Sequence, residues 1–180
     1  LVGSEMCIRD RGWDEPGRIW LNDGQAGFID SGQTLSSGSI HMHGLVLGDF
    51  TSDGLVDIVL AGSPNQTWVN DGAGIFSELE QNLLHRPGDT AALGDIDGDG
   101  DVDVYLAVGT SGQAEDMIWL NDGTGIFSNC EWNLSTGFSS GVGLGDLDSD
   151  GDLDLFIAHG QLGFSKGGGL PNEVWFNEIP

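Results

Sequence analysis

The sequence predicts an all-β fold, a β-propeller built of four-stranded antiparallel blades, and three observations support this prediction. A segment of the type Trp-x-Asn-Asp-Gly recurs along the chain at Trp20, Trp68 and Trp119, and a shorter fourth copy, Trp-Phe-Asn-Glu, begins at Trp175. An Asp-rich segment recurs between these tryptophans, at residues 48–57, 94–103 and 145–154. Short apolar runs bounded by glycine flank both segments, as expected for buried strands. The Trp spacings of 48, 51 and 56 residues are close to the size of one blade.

The composition excludes several classes of protein. The chain has 180 residues, with 29 Asp plus Glu against 5 Lys plus Arg, so its formal net charge is -24. A phosphate backbone or an anionic membrane surface would repel such a protein, so we expect no nucleic-acid partner and no membrane insertion. The 38% of hydrophobic residues is too high for a disordered acidic tail. No run of about 18 apolar residues, the length that crosses a bilayer, occurs.

The first 11 residues are left out of the fold prediction. Residues 6–10, Met-Cys-Ile-Arg-Asp, match one reading frame of a transposon-end adapter used in DNA library preparation, so we interpret residues 1–11 as a non-native sequencing scar. The true N-terminus is then expected to be missing. With Cys7 set aside, Cys130 stands alone and is expected to be a small apolar filler without a disulfide partner.

The remaining chain is divided into repeats. Residues 12–36 are predicted to be the end of a preceding blade, followed by blades at 37–84, 85–135 and 136–180. Each blade is predicted to contain a first strand, an acidic loop, a β-branched second strand, a Trp strand, an Asn-Asp-Gly hairpin and a Phe strand. The last blade is predicted to be truncated at its last strand. Since propellers close with about six to eight blades, the remaining blades of the same chain are the expected neighbours of this partial ring. A β-sandwich would not require the two segments to recur in phase.

The combined pattern carries a family resemblance. Gly-Asp-x-Asp-x-Asp-Gly-Asp-x-Asp followed by Trp-x-Asn-Asp-Gly-x-Gly-x-Phe resembles the FG-GAP and VCBS-type repeats, whose relatives build the integrin-alpha-like N-terminal β-propeller. The resemblance covers residues 13–180 and is weaker at residues 48–57. It implies a propeller ring and an extracellular or cell-surface location.

The acidic loops are predicted to bind calcium. Five carboxylates within nine residues repel one another unless a cation lies among them, and Ca²⁺ accepts six to eight oxygens at about 2.3 to 2.6 Å. Side-chain ligands are predicted at Asp95, Asp97, Asp99 and Asp103, with the carbonyl of Asp101, and at Asp146, Asp148, Asp150 and Asp154, with the carbonyl of Asp152. Gly100 and Gly151 are predicted at the sharp bend, and the side chains of Asp101 and Asp152 are expected to point to solvent.

The loop at residues 49–57 departs from this pattern. Its predicted ligands are Asp49, Thr51, Asp53 and Asp57, with the carbonyl of Leu55. A neutral hydroxyl replaces one carboxylate, so we expect a weaker site that needs millimolar calcium.

Other interpretations of the acidic loops are less favoured. An EF-hand requires Glu at the twelfth loop position, where this chain has Leu60, Leu106 and Ile157. Magnesium requires stricter octahedral geometry, and zinc prefers Cys or His ligands. A solvated turn without a metal is the remaining alternative, and it is the better reading for a single Asp-Gly turn.

The other polar and aromatic residues give weaker signals. The four repeated tryptophans are expected to pack, and the Asn of each Trp segment to bond the hairpin backbone. Trp13 and Trp132 lie outside this register and are the first candidates for contact with a sugar. His41 and His43 are expected to be polar strand positions, because no Cys or third His lies near them in sequence. No known catalytic motif is present.

Three functional hypotheses follow. The first is a non-catalytic, calcium-binding extracellular β-propeller module for adhesion or recognition of a protein or glycan ligand. The second is the propeller portion of an extracellular polysaccharide lyase or hydrolase whose catalytic residues lie elsewhere. The third is a spacer within a long surface protein. The fold alone does not choose among them.

Overall fold

The computed structural model describes residues 6–9, 17–35, 41–81, 83, 90–108, 115–130, 132, 134, 138–160 and 170–178. In these ranges the chain is all-β. The strands are β1 Met6–Arg9, β2 Gly17–Asn22, β3 Phe28–Leu35, β4 His41–Gly48, β5 Asp57–Ser63, β6 Gln66–Asn70, β7 Phe76–Leu79, β8 Thr90–Gly94, β9 Asp103–Ala107, β10 Met117–Asn121, β11 Phe127–Asn129, β12 Ser139–Gly145, β13 Asp154–His159 and β14 Glu173–Trp175. No helix in the described part of the chain is long and apolar enough to cross a membrane.

The strands form four antiparallel meanders. Two sheets are four-stranded, the second blade with the order β4-β5-β6-β7 and the third blade with the order β8-β9-β10-β11. Two are three-stranded, the first sheet with the order β1-β2-β3 and the fourth blade with the order β12-β13-β14. Each sheet therefore contains consecutive strands, as a propeller blade requires. The predicted first, second, Trp and Phe strands all form, so the all-β fold with four-stranded antiparallel blades is confirmed.

The first sheet includes residues that the sequence interpretation set aside. Strand β1 pairs with β2 in antiparallel register, with Met6 opposite Leu21 and Arg9 opposite Arg18. It occupies the place that a second strand takes in the complete blades. An extended segment can satisfy the free edge of a sheet whatever its origin, so this pairing does not test the adapter interpretation, which stays a prediction.

Three hydrophobic clusters lie between neighbouring sheets. The second strand of a blade contributes to two of them, because alternate side chains point to opposite faces of a strand. On β5, Ile58 and Leu60 pack with Ile19 of the first sheet, whereas Val59 packs with Val104 of the next blade. All of these side chains have 0% exposure. This two-sided burial explains why the second strands are continuous apolar runs rather than alternating ones.

The innermost strands of the three later blades are neighbours. Strand β4 contacts β8, and β8 contacts β12, although none of these pairs is hydrogen-bonded into one sheet. The blades are thus stacked side by side with their first strands innermost. This arrangement brings the loops between first and second strands to one end of the stack.

Candidate metal sites

Each acidic loop joins the first and second strands of a blade. The loops run between β4 and β5, β8 and β9, and β12 and β13. The predicted bends are confirmed, since Gly54, Gly100 and Gly151 have φ values of 84°, 96° and 104°. The sequence analysis missed a second left-handed position three residues after the first Asp, where Ser52, Gly98 and Ser149 have φ values of 57°, 77° and 69°. Two successive sharp turns curl the loop so that its carboxylates face one another.

Two groups of carboxylates are close enough to share one cation. In each group, three side chains offer oxygens that all lie within 4.8 Å of one another. The groups are Asp95, Asp97 and Asp99 in one loop and Asp146, Asp148 and Asp154 in the next. Clustered, purely oxygen donors fit a hard divalent cation.

The structure brings together only part of each predicted ligand set. Asp103 and Asp150 do not belong to these groups, and the carbonyl ligands at Asp101 and Asp152 stay predictions. Within the described residues, the loop at 49–57 forms no group of three acidic side chains. There the Thr51 hydroxyl donates a 3.1 Å hydrogen bond to Asp57 Oδ2. The Thr51 hydroxyl therefore bonds to Asp57, another predicted ligand, and because it is neutral it adds no charge to the loop.

The last aspartate of each loop is a fully buried structural group. Asp103 Oδ2 accepts the backbone N–H of Ile96 at 2.8 Å, and its Oδ1 accepts that of Asn121 at 2.8 Å. Asp154 repeats the arrangement with Leu147 and Asn177. The carboxylate thus ties its own loop to the Trp strand. Sequence reasoning assigned it only a ligand role, although its fixed place before the second strand was a signal.

The first aspartate of each loop stabilises the curl. Asp95 accepts the N–H of Gly98 at Oδ1 and that of Gly100 at Oδ2, at 2.8 and 3.0 Å. Asp49 holds the N–H of Gly54 in the same way, at 2.8 Å. The loops are therefore shaped by their own backbone donors, and the carboxylate oxygens keep further lone pairs for a cation.

The electrostatics of the loops disfavour bare carboxylates. The pKa of Asp97 is raised by burial and, further, by the neighbouring charges of Asp99 and Asp95. Burial likewise raises the pKa of Asp148, followed by the charges of Asp150 and Asp154. A site that holds protons more tightly than free aspartate has unfavourable negative charge, which a divalent cation would neutralise.

The buried loop aspartates differ in the direction of their shifts. Burial raises the pKa of Asp57 and Asp103. The pKa of Asp154 is lowered, because its bonds from the N–H groups of Asn177 and Leu147 outweigh desolvation. The fourth-blade loop therefore holds its last carboxylate ionised more readily than the other two loops.

One side-chain expectation was wrong. Asp101 is only partly exposed, and a Cβ atom built on Gly123 would lie 2.6 Å from its Oδ2. Its carboxylate therefore covers the glycine of the hairpin instead of pointing freely to solvent. Leu55 takes the same place over Gly72, at 3.3 Å from such a Cβ atom. The seventh residue of each of these loops, counted from the first aspartate, thus packs on the hairpin of its own blade.

The asparagines of the Trp segments bond the hairpins as predicted. Asn70 Oδ1 accepts the N–H of Gly72 at 3.0 Å, and Asn121 Oδ1 accepts that of Gly125 at 3.0 Å. Their amide nitrogens donate to the carbonyls of Val56 and Val102, at 3.1 and 3.0 Å. Each asparagine therefore also joins the hairpin to the acidic loop.

Two glutamines clamp neighbouring blades, and sequence reasoning missed them. Gln33 Nε2 donates to the carbonyl of Gly74, and its Oε1 accepts the N–H of Phe76. Gln81 repeats this with Gly125 and Phe127, at 2.8 and 3.0 Å. Both glutamines lie five residues after the Phe that begins a Phe strand. This shared spacing was the available signal.

The expected packing of the repeated tryptophans is observed inside the stack. Trp68 and Trp119 are 8% and 5% exposed, whereas Trp175 is 41% exposed. An apolar cleft of about 100 Å³ beside Trp175 is also lined by Trp132. The equivalent interfaces are filled by Phe76 and Phe127. No strand in the described chain pairs with the outer edge of β14, so this cleft lies where a Phe strand packs in the other blades. Trp13 lies outside the described residues.

A buried polar cluster lies away from the acidic loops. Asp116 accepts hydrogen bonds from the Tyr105 hydroxyl at 2.9 Å, the Ser139 hydroxyl at 2.6 Å and the N–H of Val108 at 2.7 Å. His159 Nε2 lies 3.2 Å from a Glu173 oxygen. Ser139 has 0% exposure and its hydroxyl donates directly to the carboxylate. This arrangement ties β12 to the sheet that contains β9 and β10.

His41 and His43 lie on a strand, and Cys130 directly follows one. Strand β4 carries His41 and an exposed His43, and His85 lies outside the described residues. Cys130 is a free, half-buried cysteine that packs against the third hydrophobic cluster, and burial raises the pKa of its thiol. Its predicted role as an apolar filler agrees with this packing.

Comparison with known proteins assigns the chain to a family. The FG-GAP-like repeat family matches residues 49–106 and 95–157, which together cover more than half of the chain. Cartilage acidic protein 1 of Xenopus tropicalis is 27% identical over 205 aligned residues that include 97% of this chain. The chain spans about 30% of the length of that relative. From its paired repeats, its acidic loops and this match, the chain belongs to the FG-GAP-like repeat family.

Proposed function

We propose that the chain is a calcium-binding, non-catalytic β-propeller module that works outside the cell or at its surface, where it serves adhesion or recognition of a protein or glycan. The single observation that carries the calcium proposal is the convergence of three carboxylate oxygens within 4.8 Å in each of two loops. Aspartates this close are unfavourable without a cation. The raised pKa values of Asp97 and Asp148 agree with this view.

The proposed calcium ligands all come from the three acidic loops. Asp95, Asp97 and Asp99 would hold one ion and Asp146, Asp148 and Asp154 a second, with Asp103, Asp150 and the carbonyls of Asp101 and Asp152 completing the shells. The loop of Asp49, Thr51, Asp53, Leu55 and Asp57 would hold a third ion more weakly. When bound, calcium supplies positive charge that neutralises the carboxylates and links the two strands that each loop joins. Binding energy then becomes folding energy.

Thermal unfolding tests the proposal directly. A ligand that binds only the folded state stabilises it by about 2.7 kcal/mol at one hundred times its Kd. The midpoint of unfolding should therefore be several degrees higher in millimolar calcium than in chelator, with a smaller effect of magnesium. An equal midpoint in calcium and in chelator would rule out the calcium sites.

Asp97→Ala tests the assignment at residue level. Asp97 belongs to the first group of oxygens, so its loss should weaken calcium binding at that loop and reduce the thermal shift. Asp71→Ala is the control, because Asp71 is an exposed carboxylate of a hairpin outside the acidic loops. Equal calcium affinity in the parent and Asp97→Ala would contradict the ligand assignment.

The proposed extracellular location is supported by the similar protein, by the net charge and by the acidic loops. The name of the Xenopus tropicalis relative refers to cartilage and to acidity, and this chain has a formal net charge of -24. Short acidic loops of this kind are expected to need the high calcium concentration that is found outside cells. Expression of the full-length protein in cultured cells should place it in the medium or on the surface, and retention in the cytosol would contradict the proposal.

A further inference from the structure

Two asparagines of the Trp segments reach from one blade to the acidic loop of the blade before it. Asn121 Nδ2 donates to the carbonyl of Phe50 at 2.7 Å, and Asn177 Nδ2 donates to the carbonyl of Ile96 at 2.8 Å. Phe50 and Ile96 both directly follow the first aspartate of their loops. Both distances are at the short end of the range for N–H···O hydrogen bonds. The same contact is therefore made at two successive interfaces.

The backbone of the same asparagines bonds to the acidic loop of their own blade. The N–H of Asn121 donates to Asp103 Oδ1 at 2.8 Å, and the N–H of Asn177 donates to Asp154 Oδ1 at 2.9 Å. Asp103 Oδ2 in turn accepts the N–H of Ile96 at 2.8 Å. An unbroken series of hydrogen bonds thus connects the three acidic loops. Its members are, in order, Phe50, Asn121, Asp103, Ile96, Asn177 and Asp154.

This hydrogen-bonded path is largely shielded from water. Phe50, Asp103 and Asp154 have 0% exposure, Asn121 and Ile96 have 5% and 6%, and Asn177 is half-buried. A buried donor or acceptor that loses its partner is left without a hydrogen bond, which is unfavourable. The bonds therefore oppose displacement of one loop relative to the next.

We propose that the acidic loops are thermodynamically coupled, so that a cation held at one loop raises the cation affinity of the loop in the neighbouring blade, with Asn121 and Asn177 as the positioning residues. This inference rests on the calcium proposal above. Fixing the backbone of a residue costs conformational entropy, so a loop whose second residue is already held by its neighbour loses less entropy on binding. Linkage makes the effect reciprocal between the two loops.

A double-mutant cycle on the full chain tests the coupling. Asp148→Asn weakens the fourth-blade loop, and Asn177→Ala removes the bond to the Ile96 carbonyl. The calcium Kd of the third-blade loop is read from the amide resonance of Gly100 in NMR titrations, in the parent, in both single variants and in the double variant. Asp148→Asn should weaken that Kd about fivefold or more in the parent background, the lower end of usual coupling, and less than about twofold when Asn177→Ala is present.

The controls distinguish the hydrogen-bonded path from the loss of any asparagine bond in the blade and from the loss of one charge. Asn172→Ala removes another asparagine bond of the same blade, the one that accepts the N–H of His159, and it should leave the effect of Asp148→Asn intact. The cycle also removes the long-range effect of deleting one charge, since that effect is present in both backgrounds. Coupling that persists in Asn177→Ala, or that disappears equally in Asn172→Ala, would overturn the proposal.

A calcium titration of the parent protein tests the coupling even if the variants fail to fold. Coupled loops predict that the Gly100 and Gly151 resonances respond to calcium with a Hill coefficient above 1. A coefficient of 1 for both loops, with independent midpoints, overturns the coupling but leaves calcium binding intact. If neither resonance responds to calcium, the calcium proposal itself is wrong, and the coupling falls with it.

Discussion

At the residue scale, Asp103 shows that a side chain predicted as a ligand can hold the fold together. Its two oxygens accept backbone N–H groups from its own loop and from β10, and it is fully buried. A substitution there would disrupt the blade as well as any bound ion. Asp97 makes a cleaner probe, because it is less buried and belongs to the group of converging oxygens.

Thr51→Asp should strengthen the weak loop and lower the stability of the metal-free protein. The Thr51 hydroxyl now donates to Asp57 Oδ2, and a carboxylate there would repel that oxygen instead. With calcium present the added charge becomes a ligand, so the affinity of this loop should rise on the order of tenfold. NMR titration of the Gly54 amide gives the affinity, and Thr51→Asn is the neutral control. An equal gain from Thr51→Asn would show that charge is not the cause.

Asp116→Asn should change how stability depends on pH. Burial raises the folded-state pKa of Asp116 above its ordinary value of 3.8, so the folded state holds this proton more tightly than the unfolded state. The stabilisation from that proton is complete below about 3.8 and is lost as pH rises through the raised folded-state pKa. Asparagine does not ionise, so the stability of the parent relative to the variant should fall as pH rises across that window.

Urea unfolding of both proteins at several pH values measures this difference. The groups that face the carboxyl are Tyr105, Ser139 and the N–H of Val108, with the charge of His159 nearby. The same acidic loops are present in both proteins, so their titration cancels in the comparison. A difference in stability that is constant with pH would contradict the assigned shift.

At the scale of the elements, the interfaces between blades depend on side chains that lie after the Phe strands. Gln81 bonds both the carbonyl of Gly125 and the N–H of Phe127 in the next blade. Phe127 also meets Phe50 edge-on, with ring centroids 5.4 Å apart. The hairpin of one blade is thus positioned by the blade before it, so neighbouring blades should unfold together.

Gln81→Leu should lower the free energy of unfolding by about 1–3 kcal/mol, because it leaves a carbonyl and an N–H without partners at a partly buried interface. Chemical denaturation with a single cooperative transition gives this value. Gln25→Leu is the control, since Gln25 is exposed in the first hairpin and surface substitutions usually stay within about 0.5 kcal/mol. Equal stability of the two variants would mean that the clamp contributes nothing.

At the scale of the whole molecule, the last blade has an open outer edge in the described chain. Among the described strands, β14 pairs only with β13, and Val174, Trp175 and Phe176 are 47%, 41% and 55% exposed. Open apolar edges promote association through strand pairing. We therefore expect this 180-residue chain to associate as its concentration rises, which sedimentation velocity would detect.

Val174→Lys should reduce this association, because a lysine on an edge strand opposes pairing with another strand. Ser52→Lys, on an exposed loop far from that edge in sequence, controls for the change in net charge. A parent that stays monomeric at all concentrations, or equal suppression by both variants, would count against the edge as the cause.

The sequence by itself determined the repeat, the order of the strands and the position of the acidic loops. These features are local. Apolar runs of strand length, Asn-Asp-Gly turns and the glycines at Gly100 and Gly151 each specify backbone geometry within a few residues. Recurrence of the pattern then showed that the same unit is built several times. For the same reason the bends and the hairpin bonds of the asparagines were predicted correctly.

Only the tertiary structure decided which side chains meet across blades. The clamp from Gln81 to Phe127, the bond from Asn121 to Phe50 and the bond from Ser139 to Asp116 join residues 23 to 71 positions apart. No local pattern specifies such pairs, because they depend on how one sheet stacks on the next. Within one blade, the fold likewise buries Asp103 and places Asp101 over Gly123. The sequence placed the carboxylates in the loops, and the fold buried Asp103 while it brought Asp95, Asp97 and Asp99 together.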